Sequence, residues 1–138
     1  MKNLEQLKAK ISVIMDERIR NPINFEAFAA QMLELGVTRL SFDALKNEMQ
    51  FYTKDHYVIA SSMTHLIEAK SKDNWILGDN LDTAFLEKSI QELDAGNISA
   101  IEFHRRIYSA AVVYVNVYLI PRRIYYMGLD GQHYLEKY

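Results

Sequence analysis

Tyrosine, asparagine and arginine side chains alternate with apolar residues in the C-terminal third of the chain. The residues concerned are Tyr114, Asn116, Tyr118, Arg123 and Tyr125. Because successive side chains of a β-strand point to opposite faces, all five would share one face of a sheet if the two segments pair. Such a face could hold a ligand or a partner through aromatic packing and charge-assisted hydrogen bonds.

Three interpretations of this face are open. A second helical layer or a partner copy of the chain would cover it, since a tyrosine ring packs well while its hydroxyl stays hydrogen-bonded or hydrated. A groove floored by the sheet would bind a small ligand or a peptide. A single-stranded nucleic acid would stack its bases on the tyrosines, although the formal net charge of −2 and the neighbouring acidic residues disfavour this interpretation.

Two pairs of adjacent arginines form a second candidate site. Arg105 and Arg106 lie in a predicted helix, whereas Arg122 and Arg123 begin a predicted strand, so the pairs could meet near one end of the domain. Guanidinium groups grip a carboxylate or a phosphate through two parallel hydrogen bonds. The competing interpretation is that adjacent arginines point in different directions and are solvated.

His104 lies on or beside the apolar stripe of the same predicted helix. A buried histidine there would be a candidate general base, and the competing interpretation is a boundary residue that bonds to backbone and water. A small enzyme with a cleft between two halves would combine His104, Arg123 and a tyrosine. The four histidines lack metal-ligand spacing and there is no cysteine, so we predict no metal and no cofactor. Nucleotide-binding and serine-nucleophile motifs are also missing, which favours a non-enzymatic function.

The elements that position these residues begin with two helices. Apolar residues at helical spacing predict a helix over about 4–20. Asn24 can cap a second helix that ends at Gly36. The period of the apolar residues then changes to two, which indicates half-buried strands. The strands predicted in this half are 37–43, 49–52 and 56–61.

The second half repeats this order. A helix is predicted to begin at Asp79–Asn80 and to end at Gly96–Asn97. The motif Ser99–Glu102 fits a capping box, in which the serine hydroxyl and the glutamate carboxylate each accept from the other's backbone N–H. Val113, Val115, Val117 and Leu119 are expected on the core side of the next strand. The strands after it are predicted over 122–127 and 133–138.

The two halves match when one is shifted by 75 positions. Apolar strand positions coincide, such as Leu40 with Val115, and so do the predicted caps Asn24 and Ser99. Few of the matched residues are identical, so the correspondence is one of pattern. It predicts an internal duplication of an ααβββ unit.

This pattern predicts one α+β domain over 1–138, in which a single antiparallel sheet packs against helices. The predicted pseudo-repeats cover about 4–61 and 79–138, and a connector with a short helix spans 62–78. Neither unit alone would bury a sufficient core, so one domain is expected rather than two.

Four segments carry a resemblance to a known family: 33–37 (LELGV), 95–103 (AGNISAIEF), 110–120 (AAVVYVNVYLI) and 124–131 (IYYMGLDG). On these segments the chain resembles an uncharacterised family of unknown function whose members are often labelled "phage envelope protein". The resemblance implies a fold and no catalytic residues. The chain departs from the family at Ala111, where relatives often have glycine, and in its middle segment.

The composition is that of an ordinary globular domain, with 49% hydrophobic and 25% charged residues in 138. The polar N-terminal segment does not read as a signal peptide, and no apolar run is long enough to span a membrane. We therefore expect a cytoplasmic protein without a membrane partner. The function expected from the residues is a binding or interaction module that uses the tyrosine-rich face, with self-association into a homodimer as one form of that use.

Overall fold

The structure is a computed structural model that describes residues 4–20, 24–62 and 74–138. Its four described helices are α1 (Leu4–Arg20), α2 (Phe25–Glu34), α3 (Thr83–Asp94) and α4 (Ala100–Ser109). Its six described strands are β1 (Val37–Asp43), β2 (Glu48–Thr53), β3 (Val58–Ser62), β4 (Val112–Tyr118), β5 (Arg123–Gly128) and β6 (His133–Lys137).

All six strands form one antiparallel sheet in the order β3-β2-β1-β4-β5-β6. The two central strands, β1 and β4, come from different halves of the chain and join the halves through backbone hydrogen bonds. Helices pack against one face of this sheet and enclose the hydrophobic core between the two layers. The predicted α+β class, with a single antiparallel sheet backed by helices, is confirmed.

Local capping explains where the helices begin. The Asn24 side chain accepts a hydrogen bond from the Ala27 N–H at 2.8 Å, as predicted for the cap of α2. The predicted start of α3 at Asp79–Asn80 is wrong, because the carboxylate that caps this helix belongs to Asp82. It accepts from the Phe85 N–H at 3.0 Å, so that α3 begins three residues later than expected.

The cap of α4 is half of the predicted capping box. The Ser99 hydroxyl accepts from the Glu102 N–H at 3.0 Å, as expected. The Glu102 carboxylate instead accepts hydrogen bonds from the guanidinium groups of Arg105 and Arg106 on its own helix. Charged donors one turn along the helix therefore outcompete the backbone N–H group for this carboxylate.

The two halves use the same backbone plan. The bounds of α2, β1, β2 and β3 recur in α4, β4, β5 and β6 at a shift of 75 positions, and the pairing registers recur with them. Positive φ angles fall at matching positions too: Gly36 and Ala111, Asn47 and Arg122, and His56 and Gly131. The two halves therefore share one backbone plan over these elements, and the internal duplication itself stays a prediction.

A shift in register near the start of β4 changes one predicted core position. The shift lies between Val112 and Tyr114 and interrupts the alternation of sides. Val112 therefore joins the main core cluster. Val113 is buried, as predicted, but it lies outside that cluster, so the shift separates it from Val115. Beyond the shift, Val115 and Val117 face the helices as predicted.

The connector predicted over 62–78 lies largely outside the described residues, which resume at position 74. Within the described part, Trp75 packs on the core with its ring 6.1 Å from that of Tyr108. In the part of the chain that the structure describes, no helix is long and apolar enough to cross a bilayer.

Candidate functional site

The face of the sheet opposite the helices carries all five tyrosine, asparagine and arginine candidates. We call this surface the open face. Strand pairing arranges its side chains in three rows across the sheet. The first row is Val58, Tyr52, Arg39, Tyr118, Arg123 and Lys137; the second is Ala60, Gln50, Ser41, Asn116, Tyr125 and Leu135; the third is Glu48, Asp43, Tyr114, Met127 and His133.

The five candidates lie on neighbouring strands. Asn116 pairs with Tyr125 and Tyr118 pairs with Arg123 across β4 and β5. The rings of Tyr118 and Tyr125 meet edge to face with centroids 5.7 Å apart. Tyr114 and Tyr118 retain 46% and 37% of their exposure, so their rings stand available to a partner. A shallow groove of about 360 Å³ runs over this area and is lined by Asn116, Tyr118, Pro121, Arg123, Tyr125 and Met127.

Arg39 extends this cluster into the first half of the molecule. Its guanidinium lies 3.8 Å from the centre of the Tyr52 ring and 5.8 Å from that of Tyr118. Stacking between two aromatic faces holds the cation in place without neutralising it. The sequence placed Arg39 and Tyr52 on an equivalent face of the first half. Only the pairing of β1 with β4 shows that the two faces are continuous.

Charge on the open face is segregated along the strand direction. The first row holds three basic side chains, Arg39, Arg123 and Lys137, at one end of the strands. The third row holds the carboxylates Asp43 and Glu48 at the other end. The four described helices pack on the other face of the sheet, so in the described residues the predicted second helical layer over this surface is not found.

The two arginine pairs do not form one anion site. Arg105 and Arg106 bind the Glu102 carboxylate, and Arg106 also binds Glu92 on α3. Burial is slight here, and the hydrogen bonds from Arg105 and then Arg106 hold the pKa of Glu102 at about 2. These guanidinium groups are therefore already paired with carboxylates, and the ion pair between Arg106 and Glu92 holds α4 against α3.

Arg122 is occupied at a different place from the helical pair. Its Nε donates to the Tyr138 carbonyl oxygen at 2.7 Å, and its guanidinium forms an ion pair with Glu26 at 3.1 Å. The same group lies over the Tyr138 ring. Arg122 therefore ties the C-terminal residue to α2, whereas its neighbour Arg123 lies on the open face.

His104 lies in the wall of an interior cavity between the helices and the sheet. Its imidazole meets the Phe42 ring edge to face at 4.9 Å. The cavity has a volume of about 110 Å³ and a mostly apolar lining. The sequence indicated His104 as a boundary residue or a buried base, and the structure places it against apolar walls.

Four ionisable residues missed by the sequence interpretation line the same cavity: Arg18, Asp94, Tyr126 and Glu136. The Tyr126 hydroxyl donates to Glu136 Oε1 at 2.8 Å. Burial raises the pKa of Glu136, against the opposing effect of that hydrogen bond, and also raises the pKa of Asp94. Burial raises the pKa of Tyr126 well above its usual value and lowers that of Arg18.

One signal in the sequence marked these residues. Tyr126 and Glu136 occupy strand positions that face the core, and their counterparts 75 positions earlier are Phe51 and Ser61. A hydroxyl and a carboxylate thus replace an aromatic ring and a small side chain at matched positions. Reading each strand only for its alternation assigns Tyr126 to the core and overlooks its polar partner.

No cluster of three potential metal-ligating side chains occurs among residues 4–20, 24–62 and 74–138. A scan against models of known protein families gives no match, and a search of curated proteins finds no similar chain. The case for a function therefore depends on the geometry of the open face and of the interior cavity.

Proposed function

We propose that this chain is a non-enzymatic interaction module and that its open face binds a second copy of the chain. The observation that carries the proposal is a tyrosine-rich sheet face that none of the described helices covers and whose basic and acidic side chains lie at opposite ends of the strands. A cytoplasmic location belongs to the same proposal.

Charge complementarity sets the orientation of the two copies. A two-fold axis that runs across the strands places the basic row of one copy over the acidic row of the other. In that arrangement Arg39 faces the region of Asp43 and Glu48 in the partner. The same rotation brings Tyr118 over the partner's Tyr114, and Asn116 in the middle row lies close to the axis.

The residue types of the open face suit such an interface. Tyrosine, arginine and methionine are enriched at protein interfaces, and a tyrosine ring buries a large area for little conformational entropy. Six strands about 4.8 Å apart and five residues about 3.3 Å apart give a flat area of roughly 400 Å² per copy. Two copies therefore bury an area at the weak end of specific interfaces, and the dimer should dissociate on dilution.

Sedimentation equilibrium from micromolar to millimolar protein tests the proposal. We expect a reversible shift from monomer to dimer that weakens at high salt. Tyr114→Ala should weaken the dimer about tenfold or more. Tyr57→Ala is the matched control, since Tyr57 is exposed to a similar extent (43%) in the turn before β3. Equal effects of the two variants, or a monomer at every concentration, would refute self-association through this face.

Charge reversal tests the orientation. Arg39→Glu and Glu48→Arg should each weaken the dimer, and the double variant should recover most of the loss. Recovery would require that Arg39 of one copy lies within reach of Glu48 of the other, one strand away from the Asp43 that lies directly opposite.

Binding of single-stranded DNA is the alternative outcome of the same variants. A monomer that is retained on single-stranded DNA at low salt, and is released by Arg123→Gln, would replace the second copy with a nucleic acid. Such binding would use the two arginines and the two tyrosines of the first row.

A further inference from the structure

We propose that the interior cavity lined by Arg18, Asp94, Tyr126 and Glu136 is a binding site for a small organic ammonium ion with a compact apolar body. This site lies on the helical side of the sheet and is separate from the open face. The proposed cavity site can therefore be tested, and refuted, independently of the proposed self-association.

The apolar part of the cavity sets the size of the ligand. Its walls come from all four helices and from the core face of the sheet, and include Met15, Phe28, Phe42, Phe103, Ile107 and Val115. An apolar cavity of about 150 Å³ holds a benzene molecule. At about 110 Å³, this cavity suits a branched hydrocarbon group smaller than a phenyl ring.

The polar end of the cavity sets the charge of the ligand. Two carboxylates, Asp94 and Glu136, lie there with one guanidinium, that of Arg18. Asp94 is exposed, so this end communicates with solvent. An ammonium group has three N–H donors and no acceptor, which matches a pair of carboxylates. A carboxylate ligand would instead face two like charges.

Arg18 offsets one of the two negative charges, because it attracts the Asp94 carboxylate. Its guanidinium also lies 4.6 Å from the centre of the Phe28 ring and 5.5 Å from that of Phe25, so two aromatic faces add to the stabilisation of its charge. Burial raises the pKa of Glu136, and it raises the pKa of Asp94 against the opposing attraction of Arg18. A bound cation would favour the ionised form of both groups.

The matched half shows that the fold does not require these charges. The positions equivalent to Tyr126 and Glu136 hold Phe51 and Ser61, and Phe51 is completely buried. An inward-pointing charge on an edge strand can also prevent edge-to-edge aggregation, and Glu136 lies on the edge strand β6. A role of that kind needs no ligand and predicts no selectivity among ligands.

Titration calorimetry and amide chemical shifts test the proposal with isobutylamine, its neutral analogue isobutyl alcohol and its anionic analogue isobutyrate. We expect isobutylamine to bind in the millimolar range or tighter, and the two analogues to bind at least tenfold more weakly. The shifted amides should cluster around Met15, Phe103 and His104.

Three variants locate the bound ion. Glu136→Gln should weaken isobutylamine binding about tenfold, since it removes a charged hydrogen-bond acceptor. If Glu136→Gln folds poorly, Asp94→Asn tests the same loss of a carboxylate at an exposed position. Glu34→Gln, at an exposed site on α2, controls for loss of one negative charge. Ala100→Leu should block the cavity while leaving every charge in place.

Three results would contradict the proposal. Isobutyrate binding as tightly as isobutylamine would assign recognition to Arg18 and overturn the proposal. No binding of isobutylamine to the folded wild-type protein would leave Glu136 a structural edge-strand charge and would refute the site. Equal loss of binding in Glu34→Gln and Glu136→Gln would show a general charge effect.

Discussion

The two halves of the molecule share a backbone plan and differ in what their side chains do. In the first half, the Phe51 ring packs in the interior, and Ser61 holds a small side chain at the position matched to Glu136. In the second half, Tyr126 and Glu136 occupy the matched positions and form a hydrogen bond beside a cavity. The two halves thus share their backbone geometry, and the hydrogen-bonded polar pair lies at positions where their side chains differ.

The open face shows a second difference between the halves. In β1 and β2 the middle row is polar, and the Ser41 hydroxyl donates to Gln50 Oε1 at 2.6 Å. In β4 and β5 the same row holds Asn116 and Tyr125, and tyrosines flank it. The aromatic part of the proposed interface therefore comes mainly from the second half, and the carboxylates come from the first.

The largest expected difference between the halves is in the cost of changing the matched aromatic residues. Phe51→Ala removes a completely buried ring and should lower the free energy of unfolding by about 4 kcal/mol. Tyr126→Phe keeps the ring and loses the hydrogen bond to Glu136, so it should cost about 1 kcal/mol. Urea unfolding monitored by circular dichroism measures both values. A cost of Tyr126→Phe as large as that of Phe51→Ala would contradict the interpretation that the Tyr126 hydroxyl contributes a single hydrogen bond.

Substitutions at the matched turns should change the stability less, and the two substitutions should act in opposite directions. His56 (φ 69°) and Gly131 (φ 85°) occupy equivalent turn positions in the left-handed region. Gly131→Ala should cost about 1 kcal/mol through backbone strain alone, since an added Cβ meets no atom within 4 Å. His56→Gly should leave the stability unchanged or raise it by up to about 1 kcal/mol. Thermal unfolding of the two variants would contradict this if both were destabilised.

The polar cluster makes the second half sensitive to pH. The pKa of Glu136 is raised by burial, so its ionisation costs stability, and that cost grows as the pH rises above the ordinary carboxyl range. Without ligand, Glu136→Gln should therefore be more stable than wild type at pH 8, and the gain should shrink as the pH falls to about 4. Asp94, Arg18 and Tyr126 face the same cluster and are unchanged by the substitution. A gain that persists unchanged at low pH would contradict the assignment to ionisation.

The smallest expected effect lies on the surface of the helical layer. Hydrogen bonds from Arg105 and then Arg106 lower the pKa of Glu102 to about 2, so its ionised form contributes stability above the ordinary value of 4.5. That contribution should vanish as the pH falls from 4.5 to about 2. Glu102→Gln should cost about 1 kcal/mol or less at pH 7, because the network is partly solvated. The cost should be lost at the acid end of a series of urea unfolding curves.

Strands and caps could be predicted from the sequence because they depend on local patterns. The alternation in 37–43 and in 112–118 marks each strand and each exposed side. The early start predicted for α3 shows the limit of this approach, because Asp79 and Asp82 are equally plausible caps until the structure shows which one accepts from a helical N–H.

Contacts between distant segments could not be predicted in this way. The sequence placed five candidates on one face, but the stacking of Arg39 on Tyr52 and Tyr118 depends on the central pairing of β1 with β4. The binding of Arg106 by Glu92 likewise joins two helices. The cavity cluster could not be predicted because its members come from α1, α3, β5 and β6, and each residue type is common in its own element.

Crosslinking of single-cysteine variants tests the central claim most directly, since the chain has no cysteine of its own. A cysteine in place of Asn116 lies near the proposed two-fold axis, whereas one in place of Lys88 lies on the solvent side of α3 as a control. With a short bis-maleimide at dimer-forming concentrations, the proposal predicts a covalent dimer from Asn116→Cys and almost none from Lys88→Cys. Equal yields from the two variants, or a crosslinked dimer from Lys88→Cys alone, would contradict pairing through the open face.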